Sequence, residues 1–466
     1  MSKTLTERDQ QVIWHPYTQH KNNLPPIPVV QGKGSLLFDD KGNSYIDTIS
    51  SWWVNIHGHS HPYIAEKVYE QAKTLEHVIF TGFTHEPAVQ LAEKLLPLLP
   101  GNFSKVFYSD NGSTAVEVAI KMGIQYWRNQ DAAPDPGASA ARDTSPDSGT
   151  SPAPNTSSPR QSTSPDPGTA PAQAPARRTR ILAFRHSYHG DTFGAMSISE
   201  RSVFTAAFSD YLFEVIFIDT PTKDNIRDLQ AIIALQADEI ACFIYEPLLQ
   251  AAGGMLMYDA ALLDELLDTA ASHSIICIAD EVLTGFGRTG RLFAGDYLHH
   301  KADIICLSKG LTGGTMALGV TAVTENIFRA FISDDRHKTL FHGHSFTANP
   351  LACAAALASL DLLKKEECLS GIRAITQRHL QFAGRIKGHP VIKNVRTLGT
   401  VIAFEINTGK DGYINAIGGA ITEASLKSGI YLRPLGNTVY LMPPYCITQK
   451  EMDQVYEFLV HYIEKI

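Results

Sequence analysis

Five short apolar runs, at 105–109, 180–184, 241–246, 275–280 and 303–308, constrain this chain more than any other feature. Each reads as a strand buried on both faces. Helical patterns lie between several of them, as at 114–128 and 260–272. Strand–helix alternation of this kind predicts an α/β fold with a mostly parallel central sheet covered by helices. Ahead of it, Lys41-Gly42-Asn43 separates 36–40 from 44–47 and predicts a hairpin. Downstream, Asn349-Pro350 opens an alanine-rich helix, with Asn as N-cap and Pro as the first residue. A smaller α+β unit follows and ends in a helix over 449–466. The expected organisation is an N-terminal segment, 1–60, that joins the small domain, then a large domain, 61–348, and the small domain itself, 349–466. There is no internal repeat.

One stretch departs from this pattern. Between Asp131 and Arg178 there is no Val, Ile, Leu, Met or aromatic residue, yet it holds ten of the chain's 25 prolines. It cannot bury enough apolar surface to offset the entropy of ordering it, so a disordered insertion is expected over 131–178. It is read as a tolerated surface loop, with a partner-binding segment as the alternative.

The remaining totals exclude whole classes. A chain of 466 residues with 44% hydrophobic and 19% charged residues suits a soluble enzyme with a large core. A net charge of −8 speaks against a nucleic-acid partner, which would meet a basic face. The polar start, MSKTLTERDQ, lacks a signal peptide's apolar core. No apolar run approaches the ~18 residues of a membrane span, so no membrane partner and a cytoplasmic location are expected. The six cysteines form no Cys-x-x-Cys pair. Cys242, Cys277 and Cys306 sit in apolar runs, as reduced, buried thiols would, and no metal site is expected.

Ligands of open α/β sheets bind at the carboxyl ends of the strands, and four of these strands end in reactive or polar groups. Tyr108-Ser109-Asp110-Asn111-Gly112-Ser113 runs straight into a helix, whose free N–H groups, small Gly112 and Ser113 hydroxyl suit a phosphate. A plain capping box by Thr114 and Glu117 is the alternative. Asp280 closes five apolar residues, where an acid is costly to bury without a cationic or hydrogen-bonding partner. A protonated pyridine nitrogen would be such a partner; capping the next helix is the other reading. Lys309 follows an apolar strand and precedes the glycine-rich turn at 310–314, a place where an amine's pKa can fall and a Schiff base can form. Glu246, before Pro247, is expected near a cofactor ring, with a structural role equally open.

Together these ends resemble the class III, fold-type I aminotransferases, which depend on pyridoxal 5′-phosphate. Thr284-Gly285-Phe286-Gly287-Arg288-Thr289-Gly290 is a further signature of that family. Four more stretches narrow the resemblance: Ile13-Trp14-His15-Pro16-Tyr17-Thr18, Ser50-Ser51-Trp52-Trp53, the run from His186 to Met196, and Leu311-Thr312-Gly313-Gly314-Thr315-Met316. These look like the members that aminate 8-amino-7-oxononanoate (7-keto-8-aminopelargonate) to 7,8-diaminopelargonate in biotin synthesis. The match runs essentially end to end outside 131–178.

The resemblance implies roles residue by residue. Gly112 and Ser113 bind the phosphate, Asp280 pairs with the ring nitrogen, and Lys309 carries the cofactor and shuttles the proton. Tyr188 stacks on the ring. Tyr17, Trp52, Trp53 and Arg433 line the substrate site, Arg433 receiving a carboxylate with help from Arg288. Gly343 and Ser345 reach the site from the second subunit of a homodimer. S-adenosylmethionine is the implied amino donor, lysine the alternative. From the residues alone, Trp52, Trp53 and Tyr188 could be core aromatics, Tyr17 a packing residue and Arg433 half of a surface ion pair. Two features depart from the family: the insertion, and His344-Ser345 where Pro-Thr is usual. Ser345 keeps a hydroxyl for the phosphate, and His344, beside it at the cofactor, has no assigned task. Another class III ω-aminotransferase, a mutase or decarboxylase on the same fold, and a silent binding protein are the rival readings. The chain lacks the Gly-x-x-x-x-Gly-Lys-[Ser/Thr] loop of a fused nucleotide-binding enzyme.

Overall fold

The computed structural model describes residues 3–21, 23–131, 178–409 and 412–466. Its centre is a seven-stranded sheet. In chain order the strands are β1 (Phe103–Ser109), β2 (Arg180–Phe184), β3 (Ile216–Ile218), β4 (Ile240–Tyr245), β5 (Ile276–Asp280), β6 (Ile304–Leu307) and β7 (Gly319–Thr324). They lie in the order β1-β7-β6-β5-β4-β2-β3. All run parallel except β7, which is antiparallel to both β6 and β1. Every residue of β4, β5 and β6 is buried, as continuous Ile-, Phe- and Cys-containing runs require of strands covered on both faces. The expected mostly parallel, helix-covered sheet is therefore present. The five expected strands lie within two residues of their expected bounds, whereas β3 and β7 were not expected. In β7 the polar Thr321 breaks the apolar signal; it is buried because its hydroxyl donates to the Ala115 carbonyl at 2.7 Å.

The helix Gly112–Asp131 packs across β4, β5, β6 and β7, so its first turn stands over the strand ends. Away from this sheet, Val29–Lys33, Leu36–Asp39 and Ser44–Asp47 form an antiparallel meander. Its hairpin is tied by the Asp39 carboxylate, which accepts from the amides of Lys41 and Asn43, and Gly42 supplies the positive φ of +83°. Ile430–Tyr431 adds to this sheet in parallel, with Ile430 opposite Ile46. The start of the chain and its last hundred residues thus share one sheet. Ile392–Leu398, Val401–Ile406 and Thr438–Leu441 form a second antiparallel sheet nearby. Asn349 caps Pro350–Leu363 by accepting from the amides of Leu351 and Ala352, and a Thr448/Glu451 capping box opens the terminal helix Gln449–Ile463.

The expected disordered insertion lies outside the described residues except at its ends. Asp131 closes a helix, and the Arg178 guanidinium sits 4.2 Å from the Trp127 ring centre and donates to the carbonyls of Ile240 and His273. Among the described residues no helix is long and apolar enough to cross a membrane. The cysteines are all free; Cys446 is exposed, unlike the buried Cys242, Cys277, Cys306 and Cys353.

Candidate active site

A cavity of about 450 Å³ opens at the carboxyl ends of the strands. Into its wall come Asn111, Gly112 and Ser113 after β1, Tyr188 after β2, Glu246 after β4, Asp280 from β5 and Lys309 after β6. Side chains separated by nearly two hundred residues meet there because parallel strands end on one side.

The β1 end runs directly into the helix Gly112–Asp131. Asn111 caps the helix, its Oδ1 accepting the Thr114 amide at 2.9 Å, while Asp110 accepts the Thr114 hydroxyl at 2.9 Å. The Thr114/Glu117 capping box is absent. Glu117 instead accepts from the Thr192 hydroxyl at 2.6 Å and the Gly194 amide at 2.7 Å, fixing the segment after Tyr188. Close approach needs glycine at two places. A Cβ on Gly112 would lie 2.7 Å from a Val282 methyl, and one on Gly190, whose φ is +136°, would lie 2.0 Å from the Ser113 Oγ.

Asp280 is 5% exposed and no helix follows it, so it caps none. One carboxylate oxygen accepts the Val282 amide at 3.1 Å; the other lies 2.6 Å from His189 Nδ1. Since the carboxylate can only accept, Nδ1 carries the proton. The His189 ring is fully buried and its Nε2 has no partner. Glu246 accepts from the amides of Tyr188 and Ala251, each at 3.0 Å, and burial pushes its carboxyl up to about 7.

Lys309 has a left-handed φ of +46° and its Nζ stands 4.8 Å from the Trp53 ring centre. Burial lowers its ammonium to about 8, against the opposing pull of the Asp280 and Glu246 charges. Trp53 belongs to an unusual turn: Ser50, Ser51, Trp52 and Trp53 all have positive φ, between +43° and +75°. Left-handed backbone costs roughly 1–2 kcal/mol per residue outside glycine. The side chains hold it, Ser50 donating to the Met442 carbonyl, Ser51 to Asp47, each at 2.7 Å, and Trp53 Nε1 to the Tyr440 hydroxyl at 2.9 Å. The turn sends Trp53 toward Lys309 and Trp52 outward, where the Arg433 guanidinium lies 4.1 Å from its ring centre. Tyr17 packs at 72° to Trp52, and its hydroxyl donates to Asp191 at 2.5 Å and lies 3.2 Å from the Tyr188 hydroxyl. Burial raises the pKa of both phenols.

Seven expected residues do not line the cavity: Tyr17, Trp52 and Arg433 cluster beside Tyr188, and Arg288, Gly343, His344 and Ser345 lie elsewhere. Arg288 is 1% exposed and its guanidinium donates to the Pro443 carbonyl at 2.9 Å and the Trp53 carbonyl at 3.4 Å. It braces the tryptophan turn from behind and does not line the cavity. Gly343 and Ser345 are exposed on a turn that does not line the cavity, and His344 between them is half-buried with its Nε2 unpartnered. His189 and Asp191 stand in the quoted run from His186 to Met196 without an assigned role, and Glu117 was read only as a capping-box partner. The available signal was a histidine and an aspartate beside Gly190, on a segment without apolar periodicity.

Chemically, the cavity offers a helix start for a phosphate, a buried carboxylate for a protonated ring nitrogen and an amine that burial biases toward its neutral form. Pyridoxal phosphate fits all three. The sequence matches the family "Aminotransferase class-III" over residues 17–463. The chain belongs to the class III aminotransferases. Members of this family depend on pyridoxal phosphate. The adenosylmethionine-8-amino-7-oxononanoate aminotransferase of Synechococcus elongatus is 41% identical over 464 residues, covering 97% of this chain and 99% of that protein. The protein of the same name from Geobacter sulfurreducens is 35% identical, covering 100% and 97%. Among solved structures, the one from Methanocaldococcus jannaschii superposes with a TM-score of 0.85 at 31% identity, covering 99% of this chain and 98% of that one. An amine transaminase from an uncultivated Pseudomonas species, solved in its PLP-bound form, gives 0.81 at 26% identity, covering 97% and 98%.

Proposed function

We propose that this class III aminotransferase moves the amino group of S-adenosylmethionine to 8-amino-7-oxononanoate, forming 7,8-diaminopelargonate for biotin synthesis. One observation carries the chemistry: Lys309 opens into the cavity that Asp280, Glu246 and the Gly112-Ser113 helix start also line. The full-length 41% identity to an enzyme named for this donor and acceptor supports the substrates.

Pyridoxal phosphate, when bound, supplies the electron sink. The chain supplies everything else. Gly112 and Ser113 hold the phosphate at the helix start, and Tyr188 covers the ring. Asp280, which His189 Nδ1 meets at 2.6 Å, would hold the proton on the ring nitrogen. Lys309 would carry the cofactor, and its Nζ, freed when a substrate amine takes its place, would take up and hold the proton of the substrate Cα. An ammonium lowered to about 8 lets it do both near neutral pH. Arg433, held against Trp52, receives a substrate carboxylate through its planar fork. Tyr17 and Trp52 shape the entrance, and Trp53 closes the side facing Lys309.

The same reading makes the working unit a cytoplasmic homodimer in which the exposed turn bearing Gly343, His344 and Ser345 completes the neighbour's site. Mixing an inactive Lys309→Ala chain with an inactive chain made bulky at Gly343 should restore activity in part of the heterodimers. Full activity in a demonstrated monomer would defeat the shared site. The reaction itself is tested by incubating the loaded enzyme with 8-amino-7-oxononanoate and either S-adenosylmethionine or lysine. Mass-spectrometric detection of 7,8-diaminopelargonate is expected with S-adenosylmethionine. Product with lysine alone would change the donor and leave the aminotransferase standing.

A further inference from the structure

Four consecutive left-handed residues without a glycine, Ser50 to Trp53, persist only where their surroundings impose them. Two separate sets of partners do so. Trp53 has its own anchors: its indole N–H donates to the Tyr440 hydroxyl and its carbonyl accepts from Arg288. Ser51 and Trp52 depend on Asp47 instead. Trp52 is 37% exposed, so the backbone beneath it decides where its ring stands.

The Asp47 side chain is fully withdrawn from water, yet it does not line the cavity. One carboxylate oxygen accepts the Ile49 amide at 3.2 Å; the other accepts the Ser51 hydroxyl at 2.7 Å and lies 2.9 Å from His59 Nε2. Since the carboxylate only accepts, Nε2 carries the proton, and Nδ1 of the neutral ring accepts from the Asn55 side-chain amide at 3.1 Å. Both ends of the turn thus converge on one acid, Ile49 and Ser51 on the way in, Asn55 and His59 on the way out. His59 is itself fixed. Its backbone exchanges two hydrogen bonds with Gly34, at 2.7 and 3.3 Å, and a Cβ on Gly32 would lie 2.6 Å from the His59 Cβ.

Asp47 also reaches Arg433. It stands opposite Tyr431 in the parallel pairing of Ser44–Asp47 with Ile430–Tyr431. Beside it, the Thr48 hydroxyl donates to the Tyr431 carbonyl at 2.6 Å. Arg433 follows Tyr431 by two residues, as Trp52 follows Ser51 by one. One residue therefore governs both members of the stacked pair, the Trp52 ring and the Arg433 guanidinium, 4.1 Å apart. A guanidinium fork receives a carboxylate well only when its place and tilt are set by supporting contacts.

We propose that Asp47, held by His59, is the positioning residue that aligns the Trp52–Arg433 pair and so favours substrates bearing a carboxylate; this rests on the role given to Arg433 above. Its effect belongs to the binding of such substrates and is silent elsewhere, because Trp53 keeps its own anchors facing Lys309.

The test leaves the buried acid in place and removes its partners, using the pyridoxal-phosphate-loaded enzyme with melting temperatures as the check on folding. Ser51→Ala and His59→Ala should each raise KM for the amino donor and for 8-amino-7-oxononanoate about tenfold, with kcat within about twofold of wild type. His59→Gln, whose amide N–H can replace Nε2–H, should recover most of the loss. The half-reaction of a simple amine without a carboxylate should stay within about twofold in all three. The deciding variant combines Ser51→Ala with Arg433→Ala. Its KM should lie within about twofold of Arg433→Ala alone, because effects that pass through one group do not add. Unchanged KM in both single variants, multiplied losses in the double variant, or equal losses with the simple amine overturn the inference. Arg433→Ala by itself separates the two readings: KM unchanged there removes the role of Arg433, whereas multiplied losses remove only that of Asp47. Should S-adenosylmethionine convert nothing, lysine serves as the donor; it too carries the carboxylate, so that result overturns the donor and leaves this test standing.

Discussion

His189 Nδ1 lies 2.6 Å from the Asp280 carboxylate, both side chains being almost wholly withdrawn from water. The pair has one backbone donor besides, the Val282 amide. His189 is therefore the side chain that fixes the Asp280 carboxylate at the cavity wall. A hydrogen bond to a charged group contributes about 1.5–3 kcal/mol. His189→Ala should accordingly weaken pyridoxal phosphate binding by about 10–100-fold, read by fluorescence titration of the apoenzyme. His189→Asn, which keeps an N–H donor, should recover part of the loss. Equal affinities in wild type and His189→Ala would count against the pair.

The Lys309 ammonium gives a pH signature. Only the neutral amine attacks the cofactor aldehyde, so the rate of reconstituting the apoenzyme should rise with pH, reaching half its maximum near about 8 instead of near the ordinary 10.5. Asp280 opposes the downward pull of burial, because its negative charge favours the protonated amine. Removing that charge in Asp280→Asn must therefore move the midpoint lower still. Stopped-flow absorbance of the lysine-bound cofactor follows both. A midpoint that rises in Asp280→Asn contradicts the assignment. Lys309→Ala should bind the cofactor without a covalent bond and lose turnover by about 10²–10⁴-fold or more, since both the attachment and the proton carrier are gone.

Gly190 packs closely against Ser113 at the helix start that lines the cavity. Gly190→Ala would press a methyl against Ser113 Oγ at 2.0 Å and force a φ of +136° on a residue with a Cβ. Overpacking and backbone strain each cost roughly 1–3 kcal/mol, so a marked fall in melting temperature and in retained cofactor is expected. Gly384→Ala is the control for stability, since that glycine stands in the helix Glu366–Ile386 and nothing lies within 4 Å of its added Cβ. Similar melting temperatures for the two variants would show that this contact yields.

Lys309, Asp280 and the Gly112-Ser113 helix start were legible because each ends an apolar run, and parallel strands bring such ends together. Beyond residue 349 two helices were legible from local signals, the first from Asn349-Pro350 before an alanine-rich run and the last over 449–466. What stayed hidden depends on partners distant in sequence. His189 meets Asp280 across 91 residues with no periodicity to announce it. Arg288 stands in a family signature, yet its guanidinium follows the carbonyls of Met442 and Pro443, which only the fold puts behind it. The left-handed turn at Ser50-Ser51-Trp52-Trp53 contains no glycine, the residue that usually marks positive φ. β7 is half threonine and glycine, and its antiparallel place could not be read from composition.

Arg433 offers the sharpest test of substrate recognition, because its fork is pre-set. Its guanidinium lies 4.1 Å from the Trp52 ring centre, and the turn carrying Trp52 is braced by Ser51 on Asp47. A stacked, planar guanidinium can present two N–H groups to a carboxylate, whereas a lysine in its place keeps only a point charge. Arg433→Ala should raise KM for both S-adenosylmethionine and 8-amino-7-oxononanoate by about 100-fold or more, as two charge-assisted hydrogen bonds are lost. Arg433→Lys should fall between, because the charge survives and the fork does not. A simple amine lacking a carboxylate provides the discriminating control: its half-reaction should proceed equally in wild type and Arg433→Ala. Equal losses with and without the carboxylate would make Arg433 a brace for Trp52 and no more.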